Sequence, residues 1–169
     1  MAKLTDFEAL TFDCYGTLID WESGMIEALK PLTSKASRPL KRDEILEAHA
    51  RHESSESFSF SNEELGVDFD AIYTAEDVGA YKPDPRNFAY LLEHLKDDLG
   101  LEKKDVLHTA QSLFHDHAPA GRAGLARAWI DRRQGQSGAG ATMPLAVRPA
   151  VDFYFPSMAA FVEAHKLLI

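Results

Sequence analysis

The chain of 169 residues contains little cysteine, little positive charge and few long apolar segments. Its one cysteine, Cys14, excludes an intrachain disulfide, and a reducing, cytoplasmic location is expected. The net charge of −9 argues against strongly anionic partners, so we expect neither nucleic acid nor a membrane surface as a partner. The first residues form no apolar run of the length that a signal peptide or a membrane span requires.

Apolar, β-prone runs alternate with amphipathic segments, and a content of 45% hydrophobic and 27% charged residues is typical of a globular domain. This alternation predicts an α/β fold with a doubly wound parallel sheet, formed by residues 1–169 as one domain. The predicted strands are residues 7–12, 69–75, 106–110, 128–131 and 151–155. The predicted helices are residues 23–32 (capped by Ser23), 43–52, 85–99 and 119–126, a turn at 62–65, and a last helix capped by Ser157 with Met158, Phe161, Val162 and Leu168 facing the core.

Residues 10–20, LTFDCYGTLID, are the most informative segment. An apolar run ends at Asp13, and open α/β sheets carry their reactive groups at the carboxyl ends of strands. Gly16 allows the backbone to turn and direct N–H groups back at this carboxylate. Such a carboxylate can attack a carbon or phosphorus centre, while amides hold the developing negative charge. The plainer interpretation is an Asp that ends a strand and starts a turn.

The string FDCYGTL around Asp13 resembles the first motif of the haloacid dehalogenase (HAD) superfamily, and its form with Tyr15 is most similar to the 2-haloacid dehalogenase branch. The resemblance implies that Asp13 is the nucleophile and that Thr17 orients it. It also implies that the backbone N–H groups of Cys14 and Tyr15 bind the substrate carboxylate. Phosphatases of the superfamily usually have a second Asp where Tyr15 stands, as a general acid, and a phenol with a pKa of about 10 is a poor replacement. Halide leaves as a stable anion, so dehalogenation needs no such acid.

Residues 81–85, YKPDP, resemble the lysine motif of the same superfamily. Pro83 and Pro85 stiffen this loop and are expected to hold Lys82 near the carboxyl edge of the sheet. There its ammonium can keep Asp13 ionised and bind an anionic substrate. We therefore expect Lys82 and Asp13 to lie within salt-bridge reach or one water of each other. The alternative is a solvated loop lysine.

Residues 110–116, AQSLFHD, resemble the acidic fourth motif of the superfamily in altered form. The resemblance implies that Asp116 positions the hydrolytic water and that Gln111 and Ser112 position the substrate. Gln111 stands where phosphatases have a metal-binding Asp, so no metal cofactor is expected; the alternative is Mg²⁺ at Asp13 and Asp116. For Asp116 the plainer interpretation is a helix N-cap.

The middle of the chain is too short for the whole family pattern. Residues 14–81 would have to hold a helical cap, a second-motif strand ending in Ser or Thr, and a helix. We interpret residues 21–57 as the remnant of a truncated cap, and no residue, Arg51 included, is assigned as the halide-binding Arg that the resemblance implies for a cap. Asp13 is therefore expected in an open, shallow cleft. If segments have been joined, a gap between Cα atoms is expected between about Arg51 and Asn62.

These residues favour a HAD-like hydrolase of the 2-haloacid dehalogenase type, acting on a small anionic substrate such as a 2-haloacid, with a homodimer as a possible assembly. One alternative is a Mg²⁺-dependent phosphatase of the same superfamily. The other is a non-catalytic domain that keeps the fold without the cap. His108, His115 and His117 match no zinc spacing and are interpreted as hydrogen-bonded or solvated side chains.

Overall fold

The structure is a computed structural model that describes residues 2–52, 66–135 and 145–169. Within these ranges, four parallel strands form one sheet in the order β1-β2-β3-β4. The strands are β1 (Ala9–Phe12), β2 (Val106–Ala110), β3 (Ala126–Ile130) and β4 (Phe153–Phe155). The helices are α1 (Trp21–Thr33), α2 (Arg42–His52), α3 (Ala75–Val78), α4 (Arg86–Leu99), α5 (Ala118–Ala123) and α6 (Met158–Lys166), and shorter helical segments lie at Leu4–Asp6, Lys103–Asp105 and Leu113–His117.

Helices cover both faces of the sheet. On one face, Leu107 and Ile130 pack with Phe161 of α6. On the other face, Val106 packs with Phe88 of α4 and with the neighbouring α5. Because β2 is covered on both sides, all of its residues are buried, as is typical of a strand inside a parallel sheet. The predicted α/β, Rossmann-like core is confirmed.

Several elements follow the sequence pattern closely. Strand β2 has the predicted limits, and α4 lies where residues 85–99 predict a helix. Gly100 ends α4 with a φ of 70°, a left-handed conformation that glycine adopts without strain. The Ser157 hydroxyl accepts a hydrogen bond from the backbone N–H of Ala160 at 3.1 Å and caps α6 as predicted.

Other boundaries differ from the prediction. Ser23 does not cap α1, because the helix begins at Trp21 and the Asp20 carboxylate accepts the Ser23 N–H at 3.2 Å. The helix predicted at 119–126 ends earlier, because Gly124 adopts a φ of 79° and the chain then enters β3. In α6, Phe161 is buried as expected, whereas Val162 and Leu168 are exposed. Val162 is one residue round the helix from Phe161, and Leu168 lies beyond the helix end.

The strand predicted at residues 69–75 is wrong. Residues 69–74 form no strand, and α3 begins at Ala75. The alternating apolar residues suit a strand, but a strand also needs a neighbour to receive its backbone hydrogen bonds. In the described part of the chain, β1 pairs with β2 alone. Tyr73 instead packs its ring against Tyr90 and His94 of α4, with centroids 5.7 and 5.5 Å apart.

Helices α1 and α2 occupy the first part of the region interpreted as a cap remnant. They are neighbours, and the Trp21 ring lies against the His49 ring with centroids 5.4 Å apart. The turn predicted at 62–65, and most of the stretch between about Arg51 and Asn62 where joined segments would leave a gap, lie outside the described residues. In the three described ranges, every helix is too short or too polar to cross a membrane.

Candidate active site

Asp13 follows β1 directly, at the carboxyl edge of the sheet. Its backbone N–H donates to Thr109 O at 3.1 Å, so the sheet pairing with β2 continues up to this residue. The chain then turns sharply: Gly16 has a φ of 83°, and the N–H groups of Thr17 and Leu18 both donate to Cys14 O. A side chain at the Gly16 position would be strained, which explains why glycine stands there.

Thr17 connects the nucleophile candidate with the next strand. Its hydroxyl donates to Asp13 Oδ2 at 2.8 Å and accepts the backbone N–H of Gln111 at 2.9 Å. The carbonyl oxygen of Gln111 in turn accepts the indole N–H of Trp129, the penultimate residue of β3, at 2.8 Å. Hydrogen bonds therefore join the ends of three strands around Asp13, and the orienting role that the resemblance implies for Thr17 stays a prediction.

Lys82 bridges two carboxylates. Its Nζ lies 2.6 Å from Asp13 Oδ1 and 2.6 Å from Asp116 Oδ1. The predicted convergence of Lys82 and Asp13 is confirmed, and the interpretation of Lys82 as a solvated loop lysine is wrong. The loop that carries it is ordered by Asp84, which donates its N–H to Tyr81 O at 3.0 Å and accepts the N–H of Arg86 at 2.9 Å.

Asp116 is the most deeply buried carboxylate of the site, with 1% of its side chain exposed. It does not cap a helix: Ser112 caps the segment Leu113–His117, its hydroxyl accepting the His115 N–H at 3.0 Å. Besides Lys82, Asp116 Oδ1 contacts His108 Nε2 at 3.3 Å. Asp116 Oδ2 is buried and has no hydrogen-bond partner among the described residues.

His108 forms a second layer behind Asp116. It lies in β2, buried, with Nδ1 2.9 Å from Thr11 Oγ1 and the Phe88 ring edge-to-face against it. An ionised carboxylate only accepts hydrogen bonds, so the His108 Nε2 carries the proton that faces Asp116. The interpretation of His108 as a hydrogen-bonded side chain is confirmed, whereas the sequence does not indicate its contact with Asp116. The usable signal is a polar ring within a fully buried strand.

The pKa values of the two carboxyl groups, Asp13 and Asp116, are shifted in opposite directions. Burial raises the pKa of Asp13, and the charge of Asp116 adds to this, against the opposing effects of Lys82 and Thr17. Burial also raises the pKa of Asp116, but Lys82 and His108 outweigh it and hold the pKa of that carboxyl below its usual value. Burial lowers the pKa of Lys82, but the charges of Asp116 and Asp13 together raise it by more. The net shift is upward, so the ammonium keeps its proton. Asp13 is therefore the first of the two carboxylates to be protonated as the pH falls.

The predicted substrate-binding residues differ in accessibility. Tyr15 is exposed and its ring meets the Trp21 ring edge-to-face at 6.3 Å. Burial raises the pKa of the Cys14 thiol, and the Asp13 charge raises it further, so the thiol stays neutral. Ser112 is buried, and its hydroxyl serves as a helix cap. The substrate-binding roles of Cys14, Tyr15, Gln111 and Ser112 stay predictions.

Asp13 is less open than expected. Only 11% of its side chain is exposed, because Lys82 and Thr17 both lie against its oxygens. The expectation of a shallow cleft is wrong for the carboxylate itself. Burial of this kind strengthens the electrostatic interactions of the nucleophile candidate.

The side chains present do not fit a resident magnesium ion. In the described ranges, no three His, Cys, Asp or Glu side chains are grouped as metal ligands. Lys82 occupies one oxygen of Asp13 and one of Asp116, and Thr17 takes the other oxygen of Asp13. Among the residues that the structure describes, Asp116 Oδ2 is the one oxygen of the two carboxylates left without a partner, whereas a hard divalent cation prefers several oxygen ligands.

No family model matches the chain, and no curated protein matches it in sequence. Among solved structures it is similar to the HAD phosphatase from Thermococcus onnurineus, with a TM-score of 0.57 and 19% identity over 96% of this chain and 98% of that chain. It is similar to an L-2-haloacid dehalogenase with a TM-score of 0.57 and 14% identity over 96% of this chain and 99% of that chain. The chain therefore has the fold of the HAD superfamily, and the likeness extends equally to a phosphatase and a dehalogenase.

Proposed function

We propose that this protein is a HAD-type hydrolase that uses Asp13 as a nucleophile on a small anionic substrate, with a 2-haloacid as the substrate class. The observation that carries the proposal is the arrangement of Asp13 at the end of β1, its two oxygens held by Lys82 and Thr17. A buried, oriented carboxylate beside an ammonium suits nucleophilic attack better than it suits a structural turn.

In the first step, a carboxylate oxygen of Asp13 forms a bond to C2 of the haloacid, and the carbon–halogen bond breaks. The halide leaves with the bonding electron pair, and Asp13 becomes an ester. Lys82 favours the ionised form of Asp13 before the attack, and the Thr17 hydroxyl fixes its orientation. This step needs no general acid, which agrees with Tyr15 at the position of the phosphatase acid.

In the second step, water adds to the carboxyl carbon of the Asp13 ester, and the acyl–oxygen bond breaks. The products are a 2-hydroxy acid, regenerated Asp13 and one proton. Asp116 supports this step in two ways: it shares Lys82 with Asp13, and its buried Oδ2, which has no hydrogen-bond partner among the described residues, would accept a hydrogen bond from an internal water. A buried acceptor without a partner is costly unless water or substrate fills the place.

A Mg²⁺-dependent phosphatase is the second candidate, favoured by the likeness to a phosphatase structure. Tyr15 and Gln111 weigh against it, since each stands where phosphatases of the superfamily usually have an Asp. The position of Lys82 between the two remaining carboxylates also weighs against it. The third candidate, a non-catalytic domain, is supported by the short middle of the chain.

Turnover separates the three candidates. The purified chain is incubated with 2-chloropropionate, and with an aryl phosphate with and without Mg²⁺, while chloride and phosphate are measured. Chloride release supports the proposal; Mg²⁺-dependent phosphate release alone supports the phosphatase; and release of neither supports the non-catalytic domain.

A single turnover in ¹⁸O-water tests the nucleophile. Mass spectrometry of the peptide that contains Asp13 is expected to show one ¹⁸O atom, with product labelled only in later cycles, because water attacks the ester at the Asp13 carboxyl carbon. Label in the product of the first turnover would contradict the covalent mechanism, because water would then attack the substrate directly.

A further inference from the structure

Two carboxylates within the site already neutralise the charge of Lys82. Its ammonium touches Asp13 and Asp116 at 2.6 Å each, so the three groups together carry one negative charge when ionised. An anionic substrate that approaches Asp13 therefore meets net negative charge, in a protein whose own net charge is −9. A further cation close to the Asp13 loop would offset this charge and add to the binding expected from the backbone N–H groups of Cys14 and Tyr15.

Arg132 is a cation that lies against this loop. It follows β3, at the same edge of the sheet as Asp13. Its Nη1 donates to Ile19 O at 3.4 Å, and a Cβ placed on Gly16 would lie 3.4 Å from its Nη2. The guanidinium therefore faces the bare backbone of the turn that begins at Asp13.

Two more polar groups meet at the same point. A Cβ on Gly16 would lie 3.5 Å from Trp21 Nε1 and 3.5 Å from Gln111 Oε1. The guanidinium of Arg132 and the indole N–H of Trp21 are both donors, which suits an anion rather than a cation. The space that a side chain at Gly16 would fill is thus bordered by two N–H donors and an amide.

In the described part of the chain, the ion pairs of Arg132 are longer than those that Arg42 and Arg133 form with Glu22. It lies 4.0 Å from Asp20 and 3.9 Å from Glu22, whereas Glu22 has closer partners in Arg42 at 3.3 Å and Arg133 at 3.4 Å. Glu22 therefore forms closer ion pairs with Arg42 and Arg133 than with Arg132. Arg132 is 22% exposed and borders a cavity of about 250 Å³.

We propose that Arg132 is a specificity-determining residue that binds the carboxylate of the substrate beside Gly16, with Trp21 Nε1 as a second donor. The planar guanidinium offers two parallel N–H groups that match a carboxylate. It also adds a positive charge near Asp13, where the charge of Lys82 is already neutralised by Asp13 and Asp116. This inference rests on the proposed function, because it assumes that the substrate reacts at Asp13.

Binding to full-length protein carrying Asp13→Asn, which holds substrate without turnover, tests the inference. Titration calorimetry compares 2-chloropropionate with uncharged 2-chloropropionamide in this background alone and with Arg132→Gln, Arg132→Lys or Arg42→Gln added. Arg42 is the matched control because it lines the same cavity and pairs with the same Glu22. Thermal unfolding of each variant confirms that it is folded.

Arg132→Gln is expected to weaken binding of the acid roughly tenfold to a hundredfold and to leave binding of the amide within about twofold. Arg132→Lys recovers part of the affinity, and Arg42→Gln binds like the parent. Equal losses for acid and amide, equal losses in Arg132→Gln and Arg42→Gln, or an acid that does not bind the parent would each overturn the inference. Acid binding through Arg132 without chloride release by the wild-type protein would refute the proposed reaction and keep the anion site. Chloride release with unchanged binding in Arg132→Gln would refute the anion site alone.

Discussion

Lys82 forms an ion pair with Asp116 in which the carboxylate is almost wholly buried, with Nζ 2.6 Å from Oδ1. Because Asp13 contacts the same ammonium, Lys82 is an internal link between two acidic groups rather than a cation offered to solvent. Breaking such a buried pair is far more costly than breaking an exposed one, since the charge left behind has lost its water.

Lys82→Ala is expected to abolish turnover and to lower the free energy of unfolding by about 3–5 kcal/mol at neutral pH. From the sequence alone a partly solvated pair is expected to contribute at most about 1 kcal/mol. Chemical denaturation measures the loss. Lys96→Ala is the control, because Lys96 is exposed and lies 3.9 Å from Glu102. Equal stability of the two variants would contradict the buried bridge.

Asp13→Asn is expected to reduce turnover below roughly a hundredth of wild type, because a covalent nucleophile is lost. The free energy of unfolding should not fall, since burial and Asp116 raise the pKa of Asp13 and the ionised form is therefore disfavoured in the folded state. The control is Asp20→Asn, an exposed helix cap that Asn replaces well. Steady-state rates and denaturation of both variants check this; activity of Asp13→Asn close to that of the control would remove Asp13 from the mechanism.

His108 is expected to act as a positioning residue for Asp116. In His108→Leu, kcat is expected to fall roughly tenfold to a hundredfold while KM changes little, because Asp116 keeps Lys82 but loses its second contact. His108→Gln, which can still donate a hydrogen bond, is expected to recover part of kcat. Steady-state kinetics of both variants measure the effect. A larger change in KM than in kcat, or no difference between Leu and Gln, would argue that the ring only fills the core.

His117 is expected to make the fold sensitive to acid. It is fully buried, and burial lowers its pKa to about 4, from 6.5 as the usual value. The unfolded chain therefore takes up a proton that the folded chain refuses, and up to about 3 kcal/mol of stability is lost as the pH falls from about 6.5 to 4. In His117→Gln, whose amide can still donate to Ala110 O, this part of the loss should disappear. Denaturation at pH 7 and pH 4.5 measures it, and parallel losses in both proteins would disprove the assignment.

The sequence predicts that Asp13, Thr17, Lys82 and Asp116 converge. Their positions depend on neighbouring residues in the chain and on the common direction of the parallel strands. Gly16 determines the turn after Asp13, and parallel strands bring their carboxyl ends to one edge of the sheet. The long helix α4 is predictable for a similar reason, since its apolar spacing and its terminal glycine agree.

The errors arise where the outcome depends on distant partners. Residues 69–74 have the alternation of a strand, yet Tyr73 packs on α4 and no strand forms. The sequence does not indicate the contacts of His108 and Arg132, because Asp116 lies across a turn from His108 and Gly16 lies far from Arg132 in the chain. The sequence pattern indicates which secondary structure a segment prefers, but its contacts with distant residues decide which structure it adopts.

Gln111 anchors the site with its main chain: the N–H holds Thr17 and the carbonyl oxygen holds the Trp129 indole. Neither bond depends on the identity of the side chain. Any residue except proline can form both bonds, so a substitution at position 111 is expected to leave the hydrogen bonds that hold Thr17 and Trp129 in place.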